Sequence, residues 1–102
     1  MENKTLKEMK ASEVHRITAS VLEIIETAKF TPSVDTRIQE CPDQPDKWRM
    51  VFLKEGVTLD ELASVRGQLG EHFSINVTPK DKGMLHVTIE ASSKDFVALI
   101  KN

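Results

Sequence analysis

Two runs in the second half of the chain, Phe73-Ser74-Ile75-Asn76-Val77-Thr78 and Leu85-His86-Val87-Thr88-Ile89-Glu90, alternate apolar and polar residues without a break. Successive side chains of a strand point to opposite faces. Each run therefore sends Phe73, Ile75, Val77, Leu85, Val87 and Ile89 to one side and Ser74, Asn76, Thr78, His86, Thr88 and Glu90 to the other. The segment between them, Pro79-Lys80-Asp81-Lys82-Gly83, is too short for a crossover and reads as a hairpin loop in which Gly83 is free to take a positive φ. An antiparallel pair with one dry and one wet face follows, which argues against an all-parallel sheet buried on both sides.

The same period of two appears upstream in Val34-Asp35-Thr36-Arg37-Ile38-Gln39 and again over residues 47–54. In the second of these, Trp48, Met50 and Phe52 share one face, and Arg49, Val51 and Leu53 share the other. The intervening Cys41-Pro42-Asp43-Gln44-Pro45-Asp46 holds two prolines and two aspartates and is expected to be a turn segment outside any ladder. A strand that is apolar on both faces belongs in the middle of a sheet, which puts Val51 and Leu53 on the otherwise polar side. There, either the first helix or a partner covers them.

Helix starts are written in one style. Thr5, Thr58 and Ser92 each stand three residues before an acid, Glu8, Glu61 and Asp95, the pattern of a capping box. The first helix is expected over residues 5–29, with Val14, Ile17, Val21, Ile24, Ile25 and Ala28 on one face. The second is expected over residues 59–69, burying Leu59, Leu62, Val65 and Leu69, with Val57 and Leu62 as a hydrophobic staple and Gly70 as the C-cap. The third, residues 94–101, buries Phe96, Leu99 and Ile100. A first helix of about 25 residues is roughly 37 Å long, more than the diameter of about 34 Å expected of a domain this size. Residues 1–11 are thus expected to protrude as a helix start, or to fray if the helix begins at Ser12. A protruding start leaves Leu6 and Met9 without a core and points to a homodimer or a partner contact through the start of the first helix.

The order α-ββ-α-ββ-α over 102 residues implies a single α+β domain, 1–102. Its strands form one antiparallel four-stranded sheet with helices packed mainly on one face. The expected core is Ile17, Val21, Ile24, Leu62, Leu69, Phe73, Ile75, Val77, Leu85, Val87, Ile89 and Phe96.

Spacing argues against most chemistry. His15, His72, His86 and Cys41 form no CxxC, HxxxH or HxH pair, so neither a metal nor another cofactor is expected. There is no GxSxG elbow, phosphate-binding loop or dinucleotide fingerprint, and Ser12 with His15 lacks an orienting third group, so no catalytic residue is assigned. Cys41 sits between Glu40 and Pro42-Asp43, acidic surroundings that disfavour a thiolate. Gly67 and Gly70 match the GxxG of a backbone-clamping loop, but only Glu71 and His72 separate them from a strand. Gly67 is therefore read as a helix-packing glycine.

What remains is binding. A small non-enzymatic regulatory protein acting on a macromolecular partner, a protein, is the leading expectation. A nucleic-acid-binding regulator using the open sheet face and basic hairpins is the alternative. The partner-binding residues expected on strand phase are Arg37, Arg49, Val51, Leu53, Asn76, Thr78 and His86, with Lys80 and Lys82 at the second hairpin's tip. A net charge of −2 disfavours attachment to nucleic acid by bulk charge. No membrane contact is expected, because the longest unbroken apolar run, Phe96–Ile100, is only five residues. The charged residues of Met1–Lys10 do not make a signal peptide, and a single cysteine fits a reducing, cytoplasmic setting.

The ββαββα order of residues 33–102 resembles the topology of translation start-site selection factors. Gly83–Ile100, a Gly-led strand running into a Ser-capped helix, is similar to part of the double-wing C-terminal domain of the T-even phage middle-transcription activators. The resemblance implies a regulatory binding role and carries no binding residue to a position of this chain.

Overall fold

A computed structural model describes residues 6–28, 30 and 34–100 of the chain. Its elements are α1 (Ala11–Thr27), β1 (Val34–Cys41), β2 (Gln44–Glu55), α2 (Leu59–Leu69), β3 (Ser74–Pro79), β4 (Met84–Ser92) and α3 (Ser93–Ala98). The strands form one antiparallel sheet in the order β1-β2-β4-β3, so the doubly apolar β2 is central, as its composition requires. This is the α+β fold with the α-ββ-α-ββ-α order read from the sequence.

All three helices lie on one side of the sheet. Ile17, Val21 and Ile25 of α1, Val65 and Leu69 of α2, and Phe96 of α3 share a single buried cluster with Trp48, Met50, Phe52, Val87, Ile89 and Ala91. Strand phase is as the alternation predicts: Val87 and Ile89 are buried, and Ile75 and Val77 pack against the cluster half-buried, as do Ile24 and Leu62. Phe30 meets Phe52 edge-on at 6.0 Å between ring centroids, and Phe73 meets Phe96 at 5.2 Å. Lys54 also points to this side and is buried. Its Nζ donates to the Gly56 carbonyl at 2.8 Å, lies 3.5 Å from Glu61 Oε2, and stands 5.0 Å from the centroid of the Phe30 ring. One cation thereby ties the end of β2 to the start of α2 and to the connection after α1.

Several sequence expectations are corrected. Helix α1 starts at Ala11, not at residue 5, because residues 6–8 form a turn. The Glu13 carboxylate at N3 accepts from the Lys10 N–H at 3.3 Å, which gives this start half of a capping box. The Thr5–Glu8 signature begins outside the described residues. Met9 is buried in the core, Leu6 packs against it, and the Leu6 N–H donates to the Glu40 carboxylate of β1. The reasoning that these residues lack a core, and so seek a second copy or a partner, falls with the helix start.

Gly67 is exposed, and a Cβ there would meet nothing within 4 Å, so it is not a packing glycine. Leu59, expected to be buried, is 84% exposed. It is the first residue of α2, and Cβ bonds tilt toward the N-terminus of a helix, so its side chain projects past the edge of the packed face.

The segment 41–46 is not a loop outside the ladder. Cys41 pairs with Gln44 across a two-residue turn, and a register shift between Glu40 and Cys41 leaves residues 45–47 of β2 unmatched on β1. Pro45 therefore sits where no β1 ladder bond is demanded of it. Helix α3 spans Ser93–Ala98, shorter than expected; Leu99 and Ile100 form a turn, and residue 101 lies outside the described residues.

Candidate functional site

Among the described residues, no helix packs on the other side of the sheet. Its register reads in rows across the strands: Gln39, Arg49, Glu90 and Ser74; then Arg37, Val51, Thr88 and Asn76; then Leu53, His86 and Thr78. Strand period thus brings seven of the residues expected from sequence onto one surface: Arg37, Arg49, Val51, Leu53, Asn76, Thr78 and His86. Lys80 follows β3, and Lys82 is at the loop tip with a φ of 58°, beside Gly83 at 78°. The loop closes through Lys80 N–H to the Met84 carbonyl at 2.9 Å and Met84 N–H to the Asp81 carbonyl at 3.1 Å.

Val51 is only 6% exposed although no helix of the described residues packs on this face, and it is not part of the helix-side core. Its neighbours in the same row, Arg37 and Thr88, flank it on β1 and β4. Leu53 is half-buried beside it. The choice left open by the sequence is thereby settled: α1 does not pack over Val51 and Leu53.

A cavity of about 180 Å³ opens on this face, lined by Arg37, Gln39, Val51, Phe52, Leu53, Lys80 and His86. Five of these seven are predicted binding residues brought together from β1, β2, β4 and the loop after β3. Asn76, Thr78 and Arg49 share the face outside the cavity lining, and Lys82 is at the loop tip, also outside it. Gln39 was missed as a site residue, although its alternation with Arg37 already placed it on this side.

The neighbouring row carries an ion pair. Arg49 Nη2 lies 3.3 Å from Glu90 Oε2, and Arg49 Nε donates to Cys41 Sγ at 3.4 Å, with that sulfur 3.8 Å from the same carboxylate. The hydrogen bond to Cys41 raises the pKa of the guanidinium, against the opposing effect of burial, and the charge of Glu90 adds to the rise. Arg49 is therefore a fixed cation whose charge is partly answered within the face. Cys41 was not placed on this surface from sequence, since its strand was expected to end at Gln39.

A larger depression of about 380 Å³ lies by the first hairpin, lined by Gln44, Asp46, Lys47 and Ser92. Its two charges are opposite in sign and it contains no converging set. Among the described residues, no group of three or more His, Cys, Asp or Glu is placed to hold a metal ion. Among the same residues, no helix is long and apolar enough to cross a membrane.

No family model, no curated protein and no solved structure matches this chain. The topological resemblance of residues 33–102 therefore adds nothing to the reading of the site.

Proposed function

We propose that this chain is a non-enzymatic binding module that meets a protein partner through the uncovered face of its sheet. The observation that carries this reading is the layout of that face: Val51 and Leu53 at its centre, with Arg37, Arg49, His86, Thr78 and Asn76 around them, and no helix across it. An apolar centre inside a polar and charged rim is the ordinary anatomy of a recognition patch.

The choice of protein over nucleic acid rests on where the aromatic residues lie. Sheet faces that hold single-stranded nucleic acid use aromatic side chains as stacking platforms. The chain has four Phe, one Trp and no Tyr. All five rings, Phe30, Trp48, Phe52, Phe73 and Phe96, belong to the helix-side core, which leaves the open face without a stacking group. The net charge of −2 points the same way.

The test is capture of partners from the protein's own source by immobilised wild-type and Leu53→Asp chains. A protein retained by the wild type and lost with Leu53→Asp, with the variant still folded by circular dichroism, is the expected result. Nuclease-sensitive retention whose affinity falls by roughly a thousandfold or more between about 50 and 200 mM salt would replace this reading with the nucleic-acid one. Retention unaffected by Leu53→Asp would place the interface elsewhere.

A further inference from the structure

We infer that the outer edge of β3 pairs with the same edge of a second copy of this chain, joining the two sheets into one continuous sheet. The pairing is independent of what docks on the open face.

The strand order β1-β2-β4-β3 leaves two edges, and they are built differently. β1 holds Asp35, Arg37 and Glu40 among its eight residues, and its register slips twice against β2, between Val34 and Arg37 and between Glu40 and Cys41. Charges and irregular register are the usual guards against edge-to-edge pairing. β3 has neither. It carries no charged residue and pairs with β4 without a break, from Ser74 opposite Glu90 to Pro79 opposite Leu85. Among the described residues no strand lies on its outer side.

The hairpin sets which main-chain groups that edge presents. Lys80 N–H donates to the Met84 carbonyl at 2.9 Å, and hydrogen-bonded pairs of an antiparallel ladder alternate with non-bonded ones. Counting back from Lys80, the main-chain groups of Thr78, Asn76 and Ser74 face β4, and those of Ile75 and Val77 face outward. Pro79 falls in the outward set, where its missing N–H costs the β3–β4 ladder nothing.

A two-fold axis through Asn76 uses all of these outward groups. Ile75 then lies opposite Val77 of the second copy and exchanges two bonds with it, and the symmetry repeats the pair. Ser74 faces Thr78, hydroxyl to hydroxyl, and Asn76 faces its own copy, so apolar meets apolar and polar meets polar. Neighbouring registers do worse. An axis at Val77 sets Ile75 against Pro79, which has no donor; an axis at Ile75 sets Val77 against Phe73, whose N–H already donates to the Gly70 carbonyl at 3.3 Å. Burial agrees with a missing neighbour: Val87 and Ile89 are fully buried, while Val77 and Ile75, directly opposite them on the edge, are half-buried. A six-residue edge falls short of the roughly 1,000 Å² of a stable interface, so the dimer is expected to be weak, with a Kd of about 100 μM.

Sedimentation velocity of the full chain from about 10 μM to about 1 mM is expected to show the mass rising from 11.5 kDa toward double. Over the same range, amide exchange at Ile75 and Val77 is expected to slow, while that of Asn76 and Thr78 stays unchanged. Asn76 is exposed, so substitutions there test pairing with the fold intact by circular dichroism. Asn76→Asp and Asn76→Lys each set like charges across the axis and are each expected to weaken association about fivefold. Their equimolar mixture sets opposite charges there and is expected to associate at least as tightly as the wild type.

A chain that stays monomeric at about 1 mM overturns the inference, as does association that both Asn76 variants leave unchanged. Failure of the mixture to restore association places the contact in another register or on another surface, with the same consequence. Leu53 is on β2, with β4 between it and the seam, so folded Leu53→Asp is expected to dimerise like the wild type. Loss of the dimer in that variant would move the contact to the open face and overturn edge pairing.

Discussion

Arg49 and Glu90 stand directly opposite each other on β2 and β4, and their side chains meet at 3.3 Å on the face that no helix covers. Cross-strand opposite charges of this kind contribute only a little, because water competes for both ends. The side chains are 31% and 19% exposed, which places the pair between a surface and a buried ion pair. A double-mutant cycle with Arg49→Ala and Glu90→Ala is expected to give a coupling of about 0.5 kcal/mol, shrinking as salt is added. Chemical denaturation of the four proteins measures it. A coupling above about 2 kcal/mol would show that the pair is a structural bolt and not part of an accessible surface.

The start of α2 carries a pH dependence with a definite sign. The Thr58 hydroxyl accepts from the Glu61 N–H at 3.1 Å, and Glu61 Oε1 accepts from the Thr58 N–H at 2.8 Å. That backbone bond, helped by the charge of Lys54, lowers the Glu61 pKa against the opposing effect of burial. The folded chain therefore favours the carboxylate, and the unfolded chain binds the proton more readily. The resulting stabilisation is complete above the ordinary glutamate range and is lost as pH falls through the lowered folded value. In Glu61→Gln the acid-side decline in urea midpoint is expected to be shallower than in the wild type. Thr58→Ala is expected to cost about 1 kcal/mol at neutral pH.

Within α2, the two ends of the apolar stripe should respond differently. Leu69 is buried in the core, whereas Leu59 is 84% exposed at the first helical position. Leu69→Ala is expected to cost about 2–4 kcal/mol, and Leu59→Ala to stay within about 0.5 kcal/mol. Thermal melts of the two variants check this, and comparable losses would mean that Leu59 packs against something.

How much of this was legible depends on the scale of the signal. The open face was legible because strand period is a local property: knowing that Val87 points inward fixes His86 and Thr88 outward without knowledge of the partner strands. What alternation does not contain is register, and register is what gathers Arg37, Leu53 and His86 around one cavity and sets Cys41 against Arg49. The helix start was misread for a different reason. Thr5–Glu8 and Lys10–Glu13 both offer an acid at the third position, and tertiary packing of Met9 favours the later one, although a lysine side chain has no acceptor to complete the box. The inward burial of Lys54 was also invisible, since it follows from the Gly56 carbonyl, Glu61 and Phe30 arriving from three separate segments.

Ser93 supplies a prediction of the opposite sign. Its residue is 1% exposed, and its hydroxyl has no hydrogen-bond partner among the described residues. A buried hydroxyl left unpaired opposes folding, and alanine is the better helix former at the start of α3. Ser93→Ala is therefore expected to raise stability by about 1 kcal/mol, read as a higher urea midpoint with an unchanged slope. A loss of stability would show that the hydroxyl is paired through solvent.

The segment before α1 tests whether the proposed partner is met by an arm as well as by the sheet. Met9 is buried in the same cluster as Ile17 and Trp48, Leu6 packs against that cluster, and the Leu6 N–H is bonded to the Glu40 carboxylate on β1. These contacts draw residues 6–9 onto the helix-covered side, away from Arg37, Leu53 and His86. Met9→Ala should then behave as a core truncation and cost about 2 kcal/mol, toward the low end of such changes because Met9 lies at the margin of the cluster. Partner affinity, measured under conditions where both proteins are fully folded, should stay at the wild-type value. The reverse pattern, an unchanged urea midpoint with weakened partner binding, would make this segment a contact arm. In that event the uncovered sheet face would share the interface with the approach to α1, and Leu53→Asp would reduce binding only in part.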